Sequence, residues 1–340
     1  MNAAVRATIV VPTIREPSIR RFLELWEAEF RSQRVIVIED NPEQTFALPN
    51  WVEHYCWEDI DRRLRERAWI IPRRSDCVRS YGYYLATETP CDFVLTLDDD
   101  CYPEGSYTPS FLALIAAALD HRWPDDRWWS TLEGPILPRG YPYDIRHETL
   151  ETTVHHGLWS NVPDLDARTQ LRLPDHRTTP ARSVDRVPHG RFFPMCGMNL
   201  AFRAQMIPAL YFLLMGRDRH GNPWPYDRFG DIWAGVLVKK IADHLGFVIS
   251  SGAPSVLHSR ASNPEVNLQK ETPGYPVNEE LWRKVEAIGL SADTVAACYA
   301  QIAAALDMGG QYWTTVKTAM TIWAALFEPS VSKLTSAFSA

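Results

Sequence analysis

The run Val94-Leu95-Thr96-Leu97-Asp98-Asp99-Asp100-Cys101-Tyr102-Pro103 constrains this chain more than any other stretch. Four apolar or β-favouring residues lead straight into three carboxylates. A strand that is apolar on both faces must be covered on both faces, as a central parallel strand of an α/β sheet is. Its acids then lie at the open edge of the sheet. Three adjacent negative charges repel and must stay hydrated or find a cation. Hard divalent cations such as Mg²⁺ and Mn²⁺ take carboxylate oxygens and complete their shells with phosphate and water. The motif therefore points to a metal-borne diphosphate, as in nucleotide-sugar chemistry. A solvated acidic turn after a strand is the plain alternative.

The first hundred residues alternate strand and helix signals. Residues 8–11 read as a short β-branched strand ended by Pro12, and residues 19–30 carry Phe22, Leu23, Leu25, Trp26 and Phe30 at helical spacing. A second buried strand over residues 35–38 runs into the acidic turn Glu39-Asp40-Asn41-Pro42. Residues 76–85 read as a helix and 93–97 as the strand before the triplet. This alternation predicts parallel pairing and a doubly wound α/β sheet, with ligands beyond the strand ends at Pro12, Glu39 and Asp98. Residues 139–191 are rich in His, Asp, Arg and Pro and weak in periodicity, so they read as a long loop covering the site. Helical patterns return at 204–215 and 231–245, residues 247–250 read as a last strand, and 278–327 as three helices. The expected division is a catalytic unit over 1–275 and a helical segment over 276–340 packed on it.

A net charge of -7 argues against a nucleic-acid partner but not against an anionic substrate, because a metal reverses the local sign. The six cysteines form no Cys-x-x-Cys pair, which leaves no zinc or redox motif and fits a reducing, cytoplasmic setting. The longest late apolar tract, 318–327, is too short to cross a bilayer, so no transmembrane segment is expected. Association of identical copies is compatible with the sequence.

Three distant segments are too polar for their apolar settings: Arg139-Gly140-Tyr141-Pro142 with Arg146, the stretch 193–202 around Met195-Cys196-Gly197-Met198-Asn199, and His258-Ser259-Arg260-Ala261-Ser262-Asn263-Pro264. Each alone reads as turns, caps and surface charge. Together, in order, with Val11-Pro12-Thr13-Ile14-Arg15, the acidic triplet, His156-Gly157-Leu158-Trp159-Ser160-Asn161-Val162-Pro163-Asp164, Asp231-Ile232-Trp233-Ala234-Gly235 and Asn267-Leu268, they give a resemblance. The chain resembles the reversibly glycosylated polypeptides, the UDP-arabinopyranose mutase family, over about residues 8 to 271.

The resemblance implies a GT-A-like, Rossmann-type glycosyltransferase fold with a mostly parallel central sheet. It implies a divalent metal, Mn²⁺ or Mg²⁺, a nucleoside diphosphate sugar, and flavin-free interconversion of pyranose and furanose forms. It also implies reversible attachment of the sugar to an arginine, here Arg139, with Arg146 as a second basic position. Asp98, Asp99 and Asp100 match the metal motif, and His258 is a further metal or diphosphate contact, or a strand-end histidine. Asp231 is a catalytic candidate; it and the Asp164/Asp166 pair contact sugar hydroxyls or cap helices. Substrate-binding candidates are Pro12, Thr13, Arg15, Asp40, Arg79, Trp159, Asn161, Asp164, Cys196, Gly197, Asn199, Trp233, Ser262 and Asn263.

The sequence departs from the plant pattern at Glu39-Asp40-Asn41-Pro42, which leaves both UDP- and GDP-sugars open, and at Gly230, where the family carries an Asp. On general chemistry, the metal would stabilise the departing diphosphate, and Arg139 would either capture the sugar or clamp charge. A transferase with an external acceptor and a non-catalytic nucleotide-sugar binder are the alternatives.

Overall fold

The structure is a computed structural model that describes residues 5–125, 128, 130–132, 136–143, 148–180, 182–260 and 262–327. In chain order these form β1 (Ala7–Thr13), α1 (Glu16–Phe30), β2 (Arg34–Glu39), β3 (Val52–Tyr55), α2 (Trp57–Leu64), α3 (Arg79–Ala86), β4 (Phe93–Leu97) and β5 (Cys101–Pro103). Then come α4 (Phe111–Asp120), β6 (Arg122–Pro124), β7 (Thr149–Asn161), α5 (Ala167–Arg172), β8 (Val184–Arg186), β9 (Asn199–Phe202), α6 (Gly230–His244) and β10 (Val248–His258). The helices α7 (Pro264–Glu271), α8 (Tyr275–Glu286), α9 (Val295–Ala305) and α10 (Gly310–Ala325) close the described chain.

The strands lie in the order β3-β2-β1-β4-β9-β7-β10-β5, with β6 against β7 and β8 against β10. The expected parallel run holds for β3, β2, β1 and β4, while β9 lies antiparallel between β4 and β7. With β5 also antiparallel to β10, the far half makes the sheet mixed and not mostly parallel as expected, within an α/β architecture.

Layers on both faces of the sheet explain why the centres of β1, β2 and β4 are apolar at successive positions. Ile9, Val11, Val35, Val37, Leu95 and Leu97 face α1, whose buried stripe is Ile19, Phe22, Leu23, Trp26 and Phe30. Val10, Ile36, Ile38 and Val94 face the opposite core, shared with α6 and the C-terminal helices. Burying each large α1 side chain stabilises the layer by roughly 1.5–3 kcal/mol.

Several elements differ from the sequence reading. β1 does not stop at Pro12. Thr13 turns its carbonyl to β2, where it accepts from the Asp40 amide at 2.7 Å. Pro12 therefore faces β4, whose ladder with β1 ends at Val10, and its missing N–H removes no bond. The helix read over 76–85 begins with a 3₁₀ turn at Asp76–Val78 and becomes α-helical only from Arg79. The stretch 204–215 is a 3₁₀ turn over Ala204–Ala209, with Pro208 inside it, followed by non-helical chain whose residues Leu210 to Met215 are all buried. The strand read over 247–250 runs as far as His258.

The largest correction concerns 139–191. Instead of one long loop, it contains the 13-residue β7, held between β9 and β10. Its buried His155 and His156 are matched by serines on β10, with Nδ1 to Oγ distances of 2.9 Å to Ser250 and 3.2 Å to Ser251. Polar side chains paired across a ladder hide a strand from a hydrophobicity pattern. The close approach of Gly157 to Asn199 helps join the strands, since a Cβ there would stand 2.2 Å from Asn199 Nδ2. No helix among the described residues is long and apolar enough to cross a membrane.

Candidate active site

The sheet brings its chemistry to one edge. β1, β2 and β4 are parallel and end there at Thr13, Glu39-Asp40 and Asp98. β7 and β10 run in the same sense and end at Asn161 and His258. The antiparallel β9 starts at that edge, which delivers Cys196 and Gly197, while β5 starts opposite His258 and ties the acidic turn to β10. β1 connects to β2 on one side and pairs with β4 on the other, so the edge contains the switch point where open α/β sheets bind ligands.

A cleft of about 800 Å³ lies there. Of the sequence candidates, Pro12, Thr13, Arg15, Asp40, Arg79, Asp98, Asp99, Asp164, Cys196, Asp231 and Ser262 line it. Asp76, Asp227, Arg228, Lys270 and Glu271 also line it and were missed. Arg228 and Asp76 had one legible signal: each is a charged residue just ahead of a helical pattern.

The triplet is not without counter-charge, contrary to the sequence reading. The Arg79 guanidinium, 1% exposed, pairs with Asp98, donates from Nη1 to the Gly197 carbonyl (2.6 Å) and Thr96 Oγ1 (2.9 Å), and donates from Nε to the Asp76 carbonyl (3.1 Å). Burial opposes ionisation of Asp98, but Arg79 outweighs it and holds the carboxyl below the usual range. Glycine is needed at 197 because a Cβ there would meet Arg79 Nη1 at 2.7 Å. Asp99 accepts from Thr13 Oγ1 (2.5 Å) and pairs with Arg15; burial still raises its carboxyl. Arg15 also reaches Asp100 Oδ2 at 3.4 Å. These pairs were illegible because each arginine is far in sequence from its carboxylate.

Asp100 and His258 are differently placed. His258 Nδ1 lies 2.7 Å from the Val162 carbonyl, so it carries the hydrogen and Nε2 presents its lone pair. Nε2 faces Asp100 Oδ1 at 3.9 Å. An imidazole whose far nitrogen is anchored on a carbonyl is the usual support of a metal-binding histidine. Asp100 Oδ1 and His258 Nε2 are an oxygen–nitrogen pair of the kind a divalent cation takes, although Arg15 also reaches the other Asp100 oxygen. No group of three His, Cys, Asp or Glu side chains among the described residues is arranged to hold a metal.

Asp231, in the first turn of α6, accepts from the Gly197 amide at 2.9 Å. Burial, then the charge of Asp76, push its carboxyl up to about 8. Burial also raises Asp76, but Arg79 Nη2 stands 3.7 Å from its Oδ2. Among the described residues Asp231 accepts from the amides of Gly197 and Ile232, and Arg79 weighs less on it than on Asp76, so Asp231 holds a proton the more readily. Burial raises Asp164 as well.

Asp40 is held by Trp57 Nε1 (2.7 Å) and the amides of Arg74 (3.0 Å) and Ser75 (2.8 Å), and burial pushes it up to about 6. Its neighbour Glu39 is fully buried on Thr45, Asn41 and His54 and does not line the cleft. Cys196 Sγ lies 3.3 Å from His156 Nε2, and burial pushes the thiol well up.

Other candidates are corrected by their surroundings. Trp233 sits in the core, stacked on Phe229 with Nε1 bonded to Asn278. Asn199 is fully buried and bridges the carbonyls of Leu158 and Pro254. Asn263 caps α7 ahead of Pro264, whereas Asp166 caps α5 and also lines the cleft beside Asp164. Asn161, at φ +72°, donates to the His258 carbonyl and fixes the end of β10. Trp159 stands edge-on to His156, outside the cleft lining. Arg139 is exposed in a turn and does not line the cleft. Arg146 lies outside the described residues.

Comparison with known proteins gives a consistent result. The family profile described as reversibly glycosylated polypeptide matches residues 4–332. The chain is 38% identical to probable UDP-arabinopyranose mutase 1 of Pisum sativum, covering 93% of this chain and 88% of that one. It is 37% identical to UDP-arabinopyranose mutase 1 of Arabidopsis thaliana, covering 93% and 90%. Among solved structures, S. aureus TarS aligns with a TM-score of 0.42 and 13% identity over 89% of this chain and 43% of that one, too distant to inform the cleft.

Proposed function

The chain belongs to the reversibly glycosylated polypeptide family, and on that premise we propose that it is a nucleotide-sugar mutase, converting a UDP-linked pyranose to its furanose form and back. The observation that carries this reading is the placement in one cleft of Asp231, whose carboxyl is raised by burial and by Asp76, together with Asp76, whose Oδ2 lies 3.7 Å from the Arg79 guanidinium. Ring contraction requires a proton to be given and a proton to be taken. The ring oxygen gains one as its bond to the anomeric carbon breaks, and a sugar hydroxyl loses one as its oxygen bonds to that carbon. Asp231, kept protonated by burial and by Asp76, is the donor. Asp76, beside the Arg79 cation, is the acceptor. Two carboxyl groups with different surroundings divide acid and base roles in this way.

Asp100 and His258 would hold the divalent cation, which when bound would neutralise charge on the departing diphosphate. Arg79 and Arg15 keep Asp98 and Asp99 in place against their mutual repulsion. Arg139 is the proposed acceptor of the sugar, and this role requires its turn to reach the cleft.

The test is incubation of the protein with Mn²⁺ and UDP-arabinopyranose, with GDP-sugars in parallel and no added acceptor, followed by chromatography of the intact nucleotide sugars. A furanose isomer with UDP retained is expected. Release of UDP with no isomer would refute the mutase reading, and transfer of the sugar once an acceptor glycan is added in a second incubation would show an ordinary transferase. Isomerisation of GDP-sugars alone would move the base preference to guanine.

A further inference from the structure

We propose that Arg228 is the guanidinium that grips a phosphate of the substrate's diphosphate. This rests on the reading of the cleft as a nucleoside diphosphate sugar site. Such a ligand brings negative charge into a cleft already lined by Asp40, Asp76, Asp98, Asp99, Asp164 and Asp231. It needs a cation that the acids have not taken.

Most cleft cations are committed. Arg15 is held by Asp99 and Asp100, and Arg79 by Asp98, Thr96 and Gly197. Lys270 Nζ stands 2.8 Å from Asp227. Arg74 lies over the Trp57 ring, 5.0 Å from its centroid, and donates to Asn41.

Arg228 is held differently. Its Nε donates to Glu271 Oε1 at 3.0 Å, and Glu271 Oε2 accepts the first amide of α5, from Ala167, at 2.7 Å. The side chain is thus anchored at its elbow by a buried carboxylate that is itself fixed to a helix. The terminal nitrogens have no hydrogen-bonded acceptor among the described residues. Asp164 and Asp76 act on the guanidinium by charge alone. Two parallel N–H groups on a planar fork match two phosphate oxygens, which a point-charge ammonium cannot do.

The backbone adds an independent observation. Arg228 has φ +69°, a left-handed conformation that favours glycine. A long side chain kept where glycine would be easier, on the rim of a cleft, marks a position chosen for its side chain and not for its backbone.

UDP and uridine would be titrated calorimetrically into the wild-type protein, Arg228→Gly and Arg228→Lys, each with Mn²⁺ and with chelator. Arg228→Gly should lose at least about tenfold in UDP affinity and leave uridine affinity unchanged; it relieves the left-handed backbone but leaves buried Glu271 without its partner. Arg228→Lys, which keeps the charge and the Cβ, should lose several-fold for UDP alone, and it carries the test if the glycine variant does not fold. Equal UDP affinity in wild type and variants, or an equal loss for uridine, overturns the assignment. A wild-type protein that binds neither UDP nor, titrated in parallel, GDP overturns the nucleotide-sugar reading itself, and this inference with it.

Discussion

Replacing Arg79 by Met removes a buried guanidinium and keeps most of its apolar volume. The pairs with Asp98 and the Asp76 carboxylate go, as do the bonds to Gly197 O, Thr96 Oγ1 and Asp76 O. Thr96 remains satisfied, since its hydroxyl also donates to the Val10 carbonyl at 2.8 Å. Asp98 does not, because it is left beside two further carboxylates. Removing one partner of a buried pair costs about 3–5 kcal/mol. Asp98 keeps 30% of its side chain in solvent, which sets the expectation at the lower end, about 3 kcal/mol. For a chain of this size that lowers the melting temperature by roughly 4 °C. Urea unfolding followed by tryptophan fluorescence measures the loss. Adding Asp98→Asn to Arg79→Met removes the stranded charge and should recover about 2 kcal/mol, a coupling far outside additive behaviour. A single variant within about 1 kcal/mol of wild type, or additivity within about 0.5 kcal/mol, would refute the view that Arg79 holds this edge together.

The raised Asp231 carboxyl lowers stability as pH rises. Its contribution is fully present below the ordinary aspartate value and is lost as pH climbs through about 8, so Asp231→Asn should flatten the fall in melting temperature over that window, and an unchanged slope would remove Asp231 as its source. His155 and His156 act in the opposite direction. Burial pushes both down to about 4, so stability present above the ordinary histidine value of 6.5 should fade as pH drops toward 4, and replacing both by Gln should steady the melting temperature there. If Asp100 and His258 hold the cation, UDP should bind more weakly in chelator than with Mn²⁺, and His258→Ala should erase the difference while a metal effect that survives it would place the ion elsewhere. Arg139→Lys should keep UDP affinity within about tenfold but lose attachment of a radiolabelled sugar and isomerisation; full isomerase activity in that variant would leave Arg139 as a charge clamp.

Elements built on one dominant pattern were legible in the sequence. β4 was read to the residue because Phe93–Leu97 is apolar on both faces and bounded by acids. α1, α6 and the late helices followed from helical spacing. β7 was not legible, because its buried histidines are made tolerable by serines about ninety-five positions later. The segment after Ala209 was read as helix because Leu210 to Met215 is apolar throughout, and a segment buried on every side has no period to separate helix from extended chain. At the site, the acidic triplet, Asp40, Asp164 and Asp231 were legible, while the pairing of the triplet with its arginines and the acids Asp76, Asp227 and Glu271 were not. Arg79 and Arg15 reach the triplet through the fold, and Arg228, Lys270 and Glu271 enter the cleft from elements with ordinary sequence patterns.

The placement of β9 has a consequence for how the chain assembles. β4, which carries the acidic turn, pairs with β1 early but has no neighbour on its other side until Asn199 to Phe202 emerge. β7 is likewise short of that partner, and its second neighbour, β10, comes later still. A four-residue strand, buried at every position, therefore seals two exposed strand edges at once. During synthesis those edges stand open as templates for foreign strands, and closing them requires contacts of long sequence separation, which form slowly. The interval before β9 arrives is when this protein most needs protection from its own kind.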